Sequence, residues 1–130
     1  MKKIYMILLG LMAAAWTVMA QEPKREFRGA WLNTIYRGEY AKMSAEECKK
    51  YLSLQLDKLH SAGVNAVFFQ VRPQADAFYP SELEPWSRFL SGKAGKAPAP
   101  LWDPLQFMID EAHARGMELH AWLNPYRVTT

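Results

Sequence analysis

Nine residues constrain the architecture of this chain more than any others. From Val64 to Arg72 it reads Val-Asn-Ala-Val-Phe-Phe-Gln-Val-Arg, a nearly continuous apolar run rich in β-branched and aromatic side chains. A strand that is apolar on both faces is covered on both, which is the mark of a parallel sheet packed under helices. Its alternation still carries information. Val67, Phe69 and Val71 point one way, and Phe68, Gln70 and Arg72 the other.

The segments on either side complete the unit. Phe27 to Thr34 reads as a first strand, with Ala30 and Leu32 on one face and Gly29, Trp31 and Asn33 on the other. A loop carrying Tyr36, Arg37, Gly38 and Tyr40 follows. Ser44 and Glu47 form a capping box that opens a first helix; Cys48, Leu52, Leu56 and Leu59 make its apolar stripe, and Gly63 is placed to end it. Asp103, with Pro104 after it and Gln106 completing a second capping box, opens another helix with Leu105, Met108, Ile109 and Ala112 as its stripe, ending at Gly116. A third strand runs from Met117 to about Asn124, with Leu119, Ala121 and Leu123 on one face and His120, Trp122 and Asn124 on the other. Between Pro73 and Trp102 no periodicity is visible, and a stretch of that length and Pro, Gly, Ser and aromatic content reads as a lid or binding loop.

The order β-α-β-α-β is the repeat of a parallel α/β protein. Polarity chooses between its two forms. An open doubly wound sheet is packed by helices on both faces, whereas a barrel interior can turn polar toward its top. Each strand here has one clean apolar face, while the other ends in Trp31 and Asn33, Gln70 and Arg72, or Trp122 and Asn124. The expected fold is therefore the N-terminal portion of a (β/α)8 TIM barrel. Such a barrel takes roughly 250 residues, so this chain is expected to supply about three of eight strands. A self-contained three-stranded sheet would leave both edges unpaired.

Residues 1–20 read as a signal peptide. Lys2 and Lys3 precede an apolar run from Ile4 to Trp16, and Val18-Met19-Ala20 offers the small residues of a cleavage site, leaving Gln21 as the first mature residue. The run is shorter than the roughly 20 residues of a membrane span. An exported protein, periplasmic or extracellular, with no stable membrane span after removal of the leader is expected. Losing Lys2 and Lys3 leaves 14 basic residues of the original 16 against 13 acidic ones, so no excess charge favours a nucleic-acid partner. Cys48 is the only cysteine; its place in a helical stripe makes it a small buried apolar residue, with no internal disulfide available.

Chemistry is sought where the strands end. Asn33, Gln70, Arg72 and Asn124 share the inner face at the carboxyl ends, where amides match sugar hydroxyls and a guanidinium can hold a carboxylate. The same groups are compatible with a purely structural network at the mouth. Trp122 and Tyr126 are assigned to a saccharide groove, since sugar rings present apolar C–H faces to aromatic planes; Trp31 is assigned to the core; Tyr79 and Trp86 admit either role, and Tyr79 is counted with the substrate-binding set. Asp76, on the rim after strand two, is counted with the substrate-binding residues and is the one carboxylate considered for catalysis, with an ion pair to Arg72 as its alternative. Glu82 and Glu84 are expected to be solvated in an open loop. His60, His113 and His120 have no metal-ligand spacing, which argues against a metal-dependent deacetylase or amidase, and neither a nucleophile elbow, a phosphate loop nor a dinucleotide fingerprint is present; no cofactor is expected.

Five ordered stretches then carry a resemblance: Phe27-Arg-Gly-Ala-Trp-Leu-Asn33, Val71-Arg-Pro-Gln-Ala-Asp-Ala-Phe-Tyr-Pro-Ser81, Glu84-Pro-Trp-Ser87, Asp103 to His113, and Arg115 to Arg127. Together they resemble the start of the glycosyl hydrolase-like 10 family. The resemblance implies an exported (β/α)8 glycoside hydrolase acting on a polysaccharide or oligosaccharide, with peptidoglycan glycan strands stripped of peptides as a substrate of some members. Glycosidases use two carboxylates flanking the scissile bond. In related barrels these come from strand four onwards, so the catalytic pair is not assigned and the 130-residue chain is expected to lack activity by itself. The alternative is a non-catalytic carbohydrate-binding or cell-wall protein on the same scaffold.

Overall fold

A computed structural model describes residues 26–128. The signal peptide expected at 1–20 lies outside the described residues. Strand β1 (Gly29–Leu32), helix α1 (Ala45–Ser61), strand β2 (Ala66–Arg72), a one-turn helix α2 (Arg88–Ser91), helix α3 (Pro104–Ala114) and strand β3 (Glu118–Leu123) follow in order, with a 3-10 turn at Tyr40–Lys42. The three strands form one parallel sheet in the order β1-β2-β3. Among the described residues no helix is long and apolar enough to cross a membrane.

The local signals place the helices. Ser44 Oγ accepts from the Glu47 amide, and the Glu47 carboxylate accepts from the Ser44 amide at 2.8 Å, so the first capping box is complete. Asp103 caps α3 by accepting from the amides of Leu105 and Gln106 at 3.0 Å. Its expected reciprocal partner goes elsewhere: the Gln106 amide nitrogen reaches forward to Asp110 at 2.9 Å, one helical turn on. Gly63 and Gly116 close the helices with φ of 81° and 69°, where a side chain would be strained.

Helices α1 and α3 cover one face of the sheet. Cys48, Leu52, Leu56, Met108 and Ala112 meet Val67, Phe69 and Val71 in a core that also takes in Tyr40 and Phe78. Full burial of side chains such as Leu56 or Met108 contributes about 1.5–3 kcal/mol each. Across the outer ends of the helices, Arg115 binds Asp57 at 2.7 Å, Ser53 at 2.8 Å and Glu111 at 2.9 Å, and Ser53 donates to Glu111 at 2.6 Å. This network ties α1 to α3.

The opposite face carries an aromatic layer. Phe68 stacks on Trp31 at 4.5 Å and on His120 at 4.8 Å, while Trp122 meets Trp31 edge-on at 4.9 Å. Trp31, expected in the core, is 62% exposed. The helices lie on the other side of the sheet, and among the described residues the rings of Phe68 and Trp122 pack against it. Ala121 and Leu123 are exposed as well.

The long segment after β2 is more ordered than its composition suggests. Phe78 donates to the Val71 carbonyl, and Ala77 and Trp86 form an isolated parallel bridge through Ala77 N–H to Pro85 and Ser87 N–H to Ala77, both at 2.9 Å. Tyr79 and Trp86 pack against the core from this segment. Non-local backbone bonds replace the missing periodicity.

Candidate functional site

All three strands run parallel, so their carboxyl ends lie at one rim. The pairing of β2 with β3 slips there: Gln70 faces Trp122 but Arg72 faces Leu123, so Val71 is passed over. Bulges of this kind re-aim side chains near sites. Here the slip brings Arg72 beside the exit of β3. Its Nη1 donates to the Asn124 carbonyl at 2.8 Å, and the Asn124 amide donates to the Arg72 carbonyl at 3.0 Å.

Arg72 does not pair with Asp76. Its Nε and Nη2 both lie 2.5 Å from one carboxylate oxygen of Glu84, and the two side chains are 17% and 20% exposed. Glu84 was expected to be solvated; the order of the 73–102 segment folds it back onto the rim instead, and its second oxygen is buried with no hydrogen-bond partner among the described residues. The signal available in the sequence was its position in Glu84-Pro-Trp-Ser87, one of the stretches carrying the family resemblance. Glu82 is exposed as expected.

Asn124 links the rim further. Its side-chain oxygen accepts from the Trp122 indole at 3.0 Å, and its Nδ2 donates to the Pro73 carbonyl at 3.0 Å. Trp122, Asn124, Arg72 and Glu84 thus form one connected network over the ends of β2 and β3.

Gln70 is fully buried. Its Oε1 accepts from the backbone amides of Thr34 and Ile35, both at 2.9 Å, and the Thr34 hydroxyl donates to the Gln70 carbonyl at 2.9 Å. As placed, it pins the exit of β1 to β2. Asn33 is half-buried and donates to the Ile35 carbonyl at 3.2 Å, in the same turn.

Asp76 is buried and accepts from the Gln74 amide at 2.9 Å. It lines a 290 Å³ cleft together with Gln74, Pro85, Arg88 and Val128. Tyr126 stands 95% exposed just beyond β3. The rim therefore brings Trp122, Asn124 and Arg72 together, sets Asp76 in an adjoining cleft, and leaves Tyr79 lower, against the core.

The family model for glycosyl hydrolase-like 10 matches residues 26–130. The chain belongs to the glycosyl hydrolase-like 10 family. Among its curated relatives, glycosyl hydrolase DigH of Escherichia coli K12 is 43% identical over 119 residues, which is 84% of this chain and 27% of that protein. Glycosyl hydrolase YngK of Bacillus subtilis is 40% identical over 127 residues, covering 95% of this chain and 24% of that protein. The chain thus spans about a quarter of the length of these relatives. The matched region contains the whole described sheet and every rim residue named above.

Proposed function

We propose that this glycosyl hydrolase-like chain forms three neighbouring strands of a (β/α)8 barrel in an exported, periplasmic or extracellular glycoside hydrolase. The observation that carries the proposal is the network of Arg72, Glu84, Asn124 and Trp122 at the carboxyl ends of adjacent parallel strands, the end where barrels of this class bind substrate. The substrate is a polysaccharide or oligosaccharide, with peptide-free peptidoglycan glycan strands as the first choice.

In this reading Trp122, Asn124 and Tyr126 contact the sugar, with Asn33 at the far side of the same rim. Gln70 and Arg72 hold the rim in shape. Neither Asp76 nor Glu84 stands ready as an acid or base: one accepts from backbone and the other is clamped by Arg72. The acid and base of hydrolysis are therefore other carboxylates of the full-length protein.

That engagement of both rim carboxylates also favours a second reading, a non-catalytic carbohydrate-binding barrel. The deciding experiment incubates full-length protein with peptide-free glycan strands and measures new reducing ends. Release supports the hydrolase; binding without release supports the binder. Absence of both refutes the two readings together.

A further inference from the structure

The turn that follows β1 holds a residue in a conformation its side chain disfavours. Tyr36 has φ of 61°, the one positive φ among the described non-glycine residues. It is the third residue of a turn closed by the Arg37 amide and the Thr34 carbonyl at 3.3 Å, a position that goes to Gly or Asn when φ must be positive. A bulky residue there is strained and persists only where its surroundings over-determine it.

The surroundings do so from both sides. Gln70 takes the amides of Thr34 and Ile35, the two residues before Tyr36. The residue after it, Arg37, is fixed to Glu39 at 2.5 Å and to the Tyr51 hydroxyl at 2.7 Å. Yet the ring gains little from this arrangement. It is 71% exposed, and its aromatic contact is an edge-on approach to Phe89 at 6.2 Å. The strained residue thus leaves its ring exposed among the described residues.

The place of that ring gives it a use. It stands at the carboxyl-end rim, and Phe89, which it meets, also lies under the Arg88 guanidinium at 5.0 Å. Arg88 lines the cleft shared with Gln74 and Asp76. Tyr36 thus adjoins the part-buried Phe89, and the neighbouring Arg88 lines a cleft that carries Gln74 and Asp76 among apolar residues, so an aromatic plane and hydrogen-bonding groups occur along one stretch of the rim, the pairing that a pyranose ring requires. We infer that Tyr36 is a glycan-stacking residue, holding a sugar ring at the lip of the Asp76 cleft. This inference rests on the saccharide reading above.

The experiment compares the full-length protein as wild type, Tyr36→Gly and Tyr36→Phe by calorimetric titration with peptide-free peptidoglycan strands and with chitotetraose, alongside thermal unfolding. Glycine relieves the positive φ but adds chain entropy, so Tyr36→Gly is expected to leave Tm unchanged or raise it by up to about 5 °C. Its affinity should fall on the order of tenfold. Tyr36→Phe should stay within about twofold of wild type, since the ring plane is kept. A Tm loss above about 5 °C in Tyr36→Gly, with or without weaker binding, assigns the ring to the fold and overturns the inference. Unchanged affinity in Tyr36→Gly overturns it too, as does an equal loss in Tyr36→Phe. If wild type binds neither glycan, the saccharide reading falls and takes this inference with it; loss of the stacking role alone requires a wild type that binds.

Discussion

Replacing Gln70 by Met keeps the length and volume of the side chain but removes its hydrogen-bonding oxygen. In the structure that oxygen serves two backbone donors, the amides of Thr34 and Ile35, in a region where Thr34 and Gln70 are fully buried. A buried donor left without an acceptor costs about 1–3 kcal/mol. Two of them give a loss of roughly 2–6 kcal/mol, offset by about 1–2 kcal/mol because the unpartnered Gln70 Nε2 disappears as well. The expected net destabilisation is about 3 kcal/mol. For a barrel of roughly 250 residues that lowers Tm by about 6–12 °C. Urea unfolding of the wild type and Gln70→Met would measure it, and a double-mutant cycle with Thr34→Val should show coupling, because the Thr34 hydroxyl also approaches the Gln70 Oε1 at 3.4 Å. Glycan affinity should fall only as far as the Tyr36 turn loosens. A loss below 1 kcal/mol accompanied by a large drop in glycan affinity would refute this reasoning and make Gln70 a direct ligand.

Other perturbations separate the remaining interactions. Glu84→Gln removes the countercharge from a largely buried guanidinium and should destabilise by about 2–3 kcal/mol in chemical denaturation, since breaking a buried pair strands its partner; an effect under 0.5 kcal/mol would mean that the pair is solvated in solution. Burial pushes the Cys48 thiol up to about 12, so at pH 8 it stays protonated and should react with a thiol reagent only after unfolding. Rapid labelling of native protein would contradict its place in the core. Glu111 is held below the usual carboxylate range, first by the Ser53 hydroxyl and then by Arg115. A depressed folded pKa contributes stability above the unfolded value and loses it as pH falls through the folded one. Stability should therefore decline on acidification below about pH 4.5, and Glu111→Gln should flatten that decline; identical acid profiles would remove Glu111 from the linkage.

Much of the fold was legible in one dimension because the signals behind it are local. The Ser44–Glu47 box, the Asp103 cap and the closing glycines at 63 and 116 act within a helical turn, and the stripes of Cys48, Leu52 and Leu56 or Met108 and Ala112 follow from periodicity. The apolar run through β2 likewise announced a parallel strand under helices, and the rim residues fell at strand ends because alternation has a period of two.

What the local signals left open was decided by long-range packing. Arg72 had two carboxylates within reach along the chain, and the folded path of the 73–102 segment selected Glu84. Trp31 lies on the sheet face that the helices do not cover, packed against Phe68 and Trp122, neighbours that only the strand pairing supplies. Gln70 binds amides 35 and 36 positions away, a pairing no pattern within its own strand could reveal. Tyr36 looked like an ordinary loop aromatic until the turn around it was closed from both sides and forced its φ positive. Sequence determined the elements, because propensity, capping and periodicity act over a few residues. Tertiary structure alone determined which side chains hold the rim and which ones face outward, because those outcomes depend on groups brought together from distant parts of the chain.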